Sequence, residues 1–316
     1  MNYTACINPS GDDWFRCPTN VPVYYSSKRF LIDGVPDQFV ALASPVVAYW
    51  TFSMFFHFLD MSGWKWLERY RIHDSEEVKA RNLVSRSQVV AAVILQHVLQ
   101  TLLGYAMVEE TRIVDHAERM QRIQSVIQPF MSHFLDEWGR TMPLFQATYL
   151  IYWWLLPAIQ FAFAMFLVDT WQYFLHRLMH TNKFMYRHFH SWHHRLYVPY
   201  AFGSLYNHPV EGLLLDSLGA ILAEKIAGLT TRQTMVLFAL SSLKTVDDHC
   251  GYSLPFDPFQ LLTSNNADYH DIHHQVIGIK SNFAQPFFVH WDIILGTRLT
   301  REDIERRRAQ GEAKMK

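Results

Sequence analysis

The sequence is poor in thiols and in net charge. Three cysteines, Cys6, Cys17 and Cys250, are too few for a disulfide scaffold or a thiolate metal site, so any metal must rest on other ligands. With 28 Lys plus Arg against 29 Asp plus Glu, nothing attracts the chain as a whole to nucleic acid. No glycine-rich dinucleotide fingerprint follows a strand, and no cysteine cluster suits an iron–sulfur group. The first 35 residues, rich in Pro, Asn, Ser and Asp, lack the charged-then-apolar pattern of a cleaved signal, which leaves targeting to internal segments. There are no internal repeats, and the one basic run, Arg306 to Arg308, reads as a solvated tail.

What the chain does have is apolar length. Ala41 to Leu59 and Val89 to Val108 are charge-free and each about as long as the ~20 residues that cross a bilayer core. Phe145 to Val168 reads as a third span whose helical pattern runs on through Asp169 towards His176. Leu213 to Ala227 and Met235 to Leu243 are shorter and read as a shallow hairpin that returns the chain to the face it left. The expected fold class is an all-α integral membrane protein carrying a histidine-rich helical di-metal domain. Residues 1–140 hold the N-terminal segment and first two spans, 141–300 the catalytic domain, and 301–316 a basic tail.

Orientation follows from lysine and arginine counts. The loop Asp60 to Gln88 has six, the segment Glu109 to Pro143 has four, and the tail from Arg298 has seven. With three crossings, a lumenal N-terminus puts both richer segments, and the histidines with them, in the cytosol. The sequon Asn2-Tyr3-Thr4 and a pairing of Cys6 with Cys17 both fit a lumenal terminus.

Histidine is over-used: there are 17, and eleven lie between His176 and His274. His176 and His180 are four apart, so a helix sets them on one face. His190, His193 and His194 repeat the pattern of His270, His273 and His274, one histidine followed by two at plus three and plus four. On a helix the first is beside both later ones, while the adjacent pair diverges by ~100 degrees, so each box can address two metals. Two six-coordinate metals with a position open on each need roughly ten ligands. The eight box histidines are joined by His208, in Tyr206-Asn207-His208-Pro209, and His249, in Asp247-Asp248-His249-Cys250. His57 and His97 lie inside spans and read as packing groups, and His73, His116, His133, His188 and His290 are left unassigned.

Metal-bound imidazoles give their other N–H to a carboxylate or carbonyl. Asp169, seven residues before His176, and Asp268 are the expected partners, ahead of Asp247, Asp248 and Asp271. Imidazole suits zinc, copper, iron and nickel alike. A metal pair beneath apolar helices points to lipid oxidation with dioxygen, which redox-inert zinc cannot perform and iron can, although zinc can take the site during purification. The electrons must come from a separate protein, for which Arg177, Lys183, Arg187 and Arg195 offer a basic landing surface; anionic lipid suits them equally.

The three boxes, the Tyr206 to Pro209 segment and the closing His290-Trp291-Asp292 to Leu295-Gly296-Thr297 resemble the fatty acid hydroxylase superfamily, from about Tyr149 to Leu299. Asp247 to Pro255 and Asn265 to Gly278 are most similar to fungal sphinganine C4-hydroxylases. The resemblance implies a non-haem di-iron monooxygenase of the endoplasmic reticulum membrane that hydroxylates C4 of sphinganine or dihydroceramide. It also implies NADPH as electron source through cytochrome b5 and its reductase, since no His-Pro-Gly-Gly signature of a fused cytochrome domain is present. The competing readings are a sterol-type oxidase or desaturase of the same superfamily, and a zinc- or haem-binding membrane protein without turnover.

Overall fold

The computed structural model describes residues 3–7, 14–18, 21–109, 115–138 and 144–315. Three helices, Asp37–Met61, Arg86–Met107 and Leu144–Thr181, are long and apolar enough to cross a bilayer. Only 28%, 28% and 22% of their apolar windows are buried within the protein, so most of that surface faces outward, where lipid is the solvent that tolerates it. The protein is a multi-pass membrane protein, and its spans run close to the expected bounds.

The chain divides into two compact units, Met1–Asp37 with Glu109–Phe163, and Gln38–Val108 with Ala164–Lys316. The first unit departs from an all-helical reading by one short antiparallel hairpin, Tyr3–Ile7 with Trp14–Pro18, in which Cys6 faces Phe15 and Cys17 faces Thr4. Asn2 of the sequon and the side chains of both cysteines lie outside the described residues. A helix the sequence did not announce, His116–Trp138, carries Pro129 and packs Met120 against Tyr152 and Trp153. The His116 Nδ1 lies 2.6 Å from the Tyr152 hydroxyl.

In the second unit, Ser85 and Gln88 form a reciprocal capping box that starts the Arg86–Met107 helix. The first two spans pack on the segment Ala201–Leu205 through Tyr49, Phe56, Val93, Phe202 and Leu205, and the Tyr49 hydroxyl donates to the Phe202 carbonyl at 2.7 Å. The hairpin is longer than its apolar runs: a π-helical turn Gly212–Leu218 and an α-helix Gly219–Ala227 are followed by a second helix, Thr231–Asp248. Gly228, at φ 64, supplies the left-handed residue that ends the first helix, and Thr230 with Gln233 caps the second. The second helix delivers His249 at its C-terminal end. Gly212 permits the hairpin's close approach to the second span, because a Cβ there would lie 2.5 Å from the Gln96 amide.

Candidate metal centre

Each histidine box is presented by different local structure. His176 and His180 sit near the end of the Leu144–Thr181 helix. The third box lies on the regular helix Ala267–His274, whose Asn266 cap accepts the Tyr269 N–H. The second box is not a regular helix: a π-turn Tyr186–His190 passes through a turn into a 3-10 segment His193–Arg195. The four-residue spacing nonetheless brings the His190 and His194 Nε2 atoms to 3.1 Å.

The rings gather in two groups, His176, His180, His190, His194 and His273 in one, and His193, His249, His270 and His274 in the other, with ligand atoms in each within 4.8 Å of one another. Adjacent histidines in both later boxes do part company, His193 from His194 and His273 from His274. In the first group the Nε2 separations are 3.0 Å for His176–His190, 3.1 Å for His190–His194, 3.2 Å for His194–His180 and 3.2 Å for His180–His176. They close a four-membered ring, which His273 joins as a fifth donor. In the second group the separations form an open chain, 3.3 Å for His193–His249, 3.0 Å for His249–His270 and 3.1 Å for His270–His274.

These spacings cannot be imidazole–imidazole hydrogen bonds throughout. The Nδ1 atoms of His176, His249, His273 and His274 lie 2.7 to 2.8 Å from the carbonyls of Phe283, Thr245, Ser281 and Leu196, and that of His193 lies 3.3 Å from the Tyr206 carbonyl. A carbonyl only accepts, so each Nδ1 carries the proton and each neutral ring turns a bare Nε2 lone pair inward. Burial keeps the rings neutral: it holds His193 down to about 4 and His273 to about 3, and pushes His190, His249, His270 and His274 well below the usual histidine range. Lone pairs facing one another at 3.0 Å repel unless a cation lies between them. Two imidazole nitrogens at right angles about a metal, each bound at about 2.1 Å, are about 3.0 Å apart, which matches the spacing found. The His273 Nε2, buried without a hydrogen-bond partner among the described residues, fits the same role. The residues present suit two metal ions.

Around the rings, the partners differ from those the sequence suggested. His190 Nδ1 lies 2.5 Å from the buried Glu211 carboxylate, a carboxylate–histidine pairing that orients a metal ligand. Asp169 instead accepts the backbone N–H groups of Phe287 and Phe288 at 3.0 and 2.6 Å. Asp268 pairs with Arg301 at 2.8 Å, and Asp271 with His73 and Arg301 at 2.8 and 2.7 Å. Asp248 is held by the buried Lys244, and Asp247 accepts from Gln260 at 3.2 Å. Asp292 supports the Phe283 carbonyl from behind, accepting the N–H of Phe283 at 3.1 Å and of Ala284 at 2.7 Å. His208 falls in neither group: its Nδ1 accepts the Val210 N–H at the start of a helical turn, and its ring lies against Phe189 and Trp192.

Residues 161–297 match the fatty acid hydroxylase family model. The sphingolipid C4-hydroxylase SUR2 of Saccharomyces cerevisiae is 48% identical over 270 residues, 85% of this chain and 74% of that protein. The chain belongs to the fatty acid hydroxylase family. Sphinganine C4-monooxygenase 1 of Arabidopsis thaliana is 42% identical over 264 residues, 84% of this chain and 88% of that protein. The rice protein named very-long-chain aldehyde decarbonylase GL1-9 is 40% identical over 280 residues, 89% of this chain and 96% of that protein. No solved structure matches the chain. All nine gathered histidines lie within the family-model match, as does Glu211.

Proposed function

We propose that the protein is a membrane-bound non-haem di-iron monooxygenase that places a hydroxyl on C4 of sphinganine or dihydroceramide. The observation that carries this reading is the pair of imidazole groups, seated at the end of a membrane span in a chain close to sphingolipid C4-hydroxylases along most of its length. The metal ligands are His176, His180, His190, His194 and His273 for one ion, and His193, His249, His270 and His274 for the other; His208 supports the turn beside them.

Iron in the two groups would supply oxidation of an unactivated C–H bond, with one atom of dioxygen going to the product and the other to water at the expense of two electrons and two protons. The chain's own contribution is placement. Five carbonyl contacts and the Glu211 contact fix the ring orientations, and burial excludes bulk water from the nitrogens. The absence of charge from the binding rings keeps them available to cations rather than protons. NADPH is the electron source through cytochrome b5 and its reductase, docking near the exposed Lys183 and Arg187. The lysine and arginine counts support a site on the cytosolic face of the endoplasmic reticulum membrane with the N-terminus in the lumen.

The test is metal analysis of purified protein with product identification from labelled sphinganine and dihydroceramide. The expected products carry a 4-hydroxyl. Deletion in the host should remove 4-hydroxylated long-chain bases, whereas unchanged bases with accumulated methylsterols, or alkane formed from a long-chain aldehyde, would overturn the reading.

A further inference from the structure

In the second unit, the long helices and the hairpin line a partly open cavity of about 120 Å³. Much of its wall is apolar, including Leu42, Val46, Ile221 and Phe238, as an alkyl chain requires. Asp216 is the one charged side chain in that wall among the described residues. The residue is half-buried and lines the cavity. Its hydrogen-bond partners are neutral amides, Gln96 at 3.2 Å, Asn207 at 3.4 Å and Gln100. Neutral amides do not offset the cost of desolvating a carboxylate, and burial pushes the Asp216 carboxyl up to about 7; a cation in the cavity would hold it ionised.

The cavity is tied to the open group of imidazoles by covalent and hydrogen-bonded links. Asn207 follows Tyr206, whose carbonyl accepts from His193. Thr245, in the cavity wall, accepts from His249 through its carbonyl. In a long-chain base the ammonium is on C2, only two carbon–carbon bonds from C4. A group that holds the ammonium while C4 reacts must therefore lie on the metal side of the cavity, and Asp216 is joined to that side through Asn207, whose side chain also reaches His193.

We propose that Asp216 binds the substrate's ammonium group and makes the enzyme prefer the free long-chain base to its N-acylated form. This rests on the hydroxylase reading and adds the residue that selects the head. An N-acyl substrate has a neutral amide at the same place, offers no charge to the carboxylate and gains little from it.

The experiment compares wild type and Asp216→Asn in lipid nanodiscs, with sphinganine and a short-chain dihydroceramide as substrates. The expected result is a KM for sphinganine raised on the order of tenfold to a hundredfold, the range of a charge-assisted hydrogen bond, with kcat changed less and the dihydroceramide KM moved by less than about threefold. Iron content and thermal unfolding should match wild type. Asp216→Glu, which keeps the charge and shifts it by one methylene, serves if the amide variant does not accumulate; it should raise the sphinganine KM alone. An unchanged sphinganine KM, or an equal rise for both substrates, overturns the assignment. Equilibrium binding of labelled sphinganine, read without turnover, separates the two ideas: binding lost in Asp216→Asn supports this site even if the product of turnover is not the 4-hydroxy base.

Discussion

The two imidazole groups are built from the same boxes yet differ in closure. One is a ring of four nitrogens with a fifth donor, and one of its members is backed by a buried carboxylate. The other is an open chain of four, oriented by the backbone carbonyls of Tyr206, Thr245 and Leu196 and, at His193, by the Asn207 side chain as well. About a six-coordinate metal the first leaves one position free and the second leaves two. The more open group is also the one linked to the cavity, through Tyr206 and Thr245. With metals bound, the five-donor group would give the firmer hold and the four-donor group would leave more room for reactants.

The largest effect should come from removing one donor of each group. His193→Ala and His273→Ala should each bring hydroxylation to background while the protein remains in the membrane, and turnover retained in both would break the assignment of ligands. A graded chelator tests the asymmetry itself. Iron should leave in two phases, about half of it released first from the four-donor group, whereas a single phase would erase the distinction. Glu211→Gln keeps the volume and removes the charge behind His190; metal affinity or turnover should fall about tenfold to a hundredfold. The smallest effect is expected at His208. His208→Ala should cost about 1 kcal/mol or less of stability, the range of a helix cap, with iron content unchanged by metal analysis.

These contrasts also show which physical signals a sequence carries. Spacing of four on a helix fixes proximity, so the eight box histidines and the divergence of adjacent rings could be read directly, and the long charge-free runs gave the spans. His208 and His249 drew notice on the same ground, as histidines left between the boxes and flanking the hairpin, and only His249 joins a ring group. The partners of the rings were hidden for two reasons. Backbone carbonyls have no residue identity to recognise, and Glu211 meets His190 only because the turn at Pro209 folds back across 21 positions. Asp169 misled because it shares a helical face with His176, yet seven residues span about 10 Å of helix axis, beyond contact of the two side chains. It does something else of use, anchoring the Phe287 and Phe288 N–H groups in the segment that also carries Phe283. Asp268, in the first turn of its helix, faces outward to Arg301. The His116–Trp138 helix went unread because Pro129 and its mixed charges obscure a single apolar stripe.

The central claim is that two cations satisfy the facing lone pairs. An anomalous-scattering map of the iron-loaded protein, recorded at the iron edge, examines it most directly. Two peaks are expected, one among the Nε2 atoms of His176, His180, His190, His194 and His273, the other among those of His193, His249, His270 and His274. A single shared peak, or iron held elsewhere with these nitrogens empty, would contradict the account.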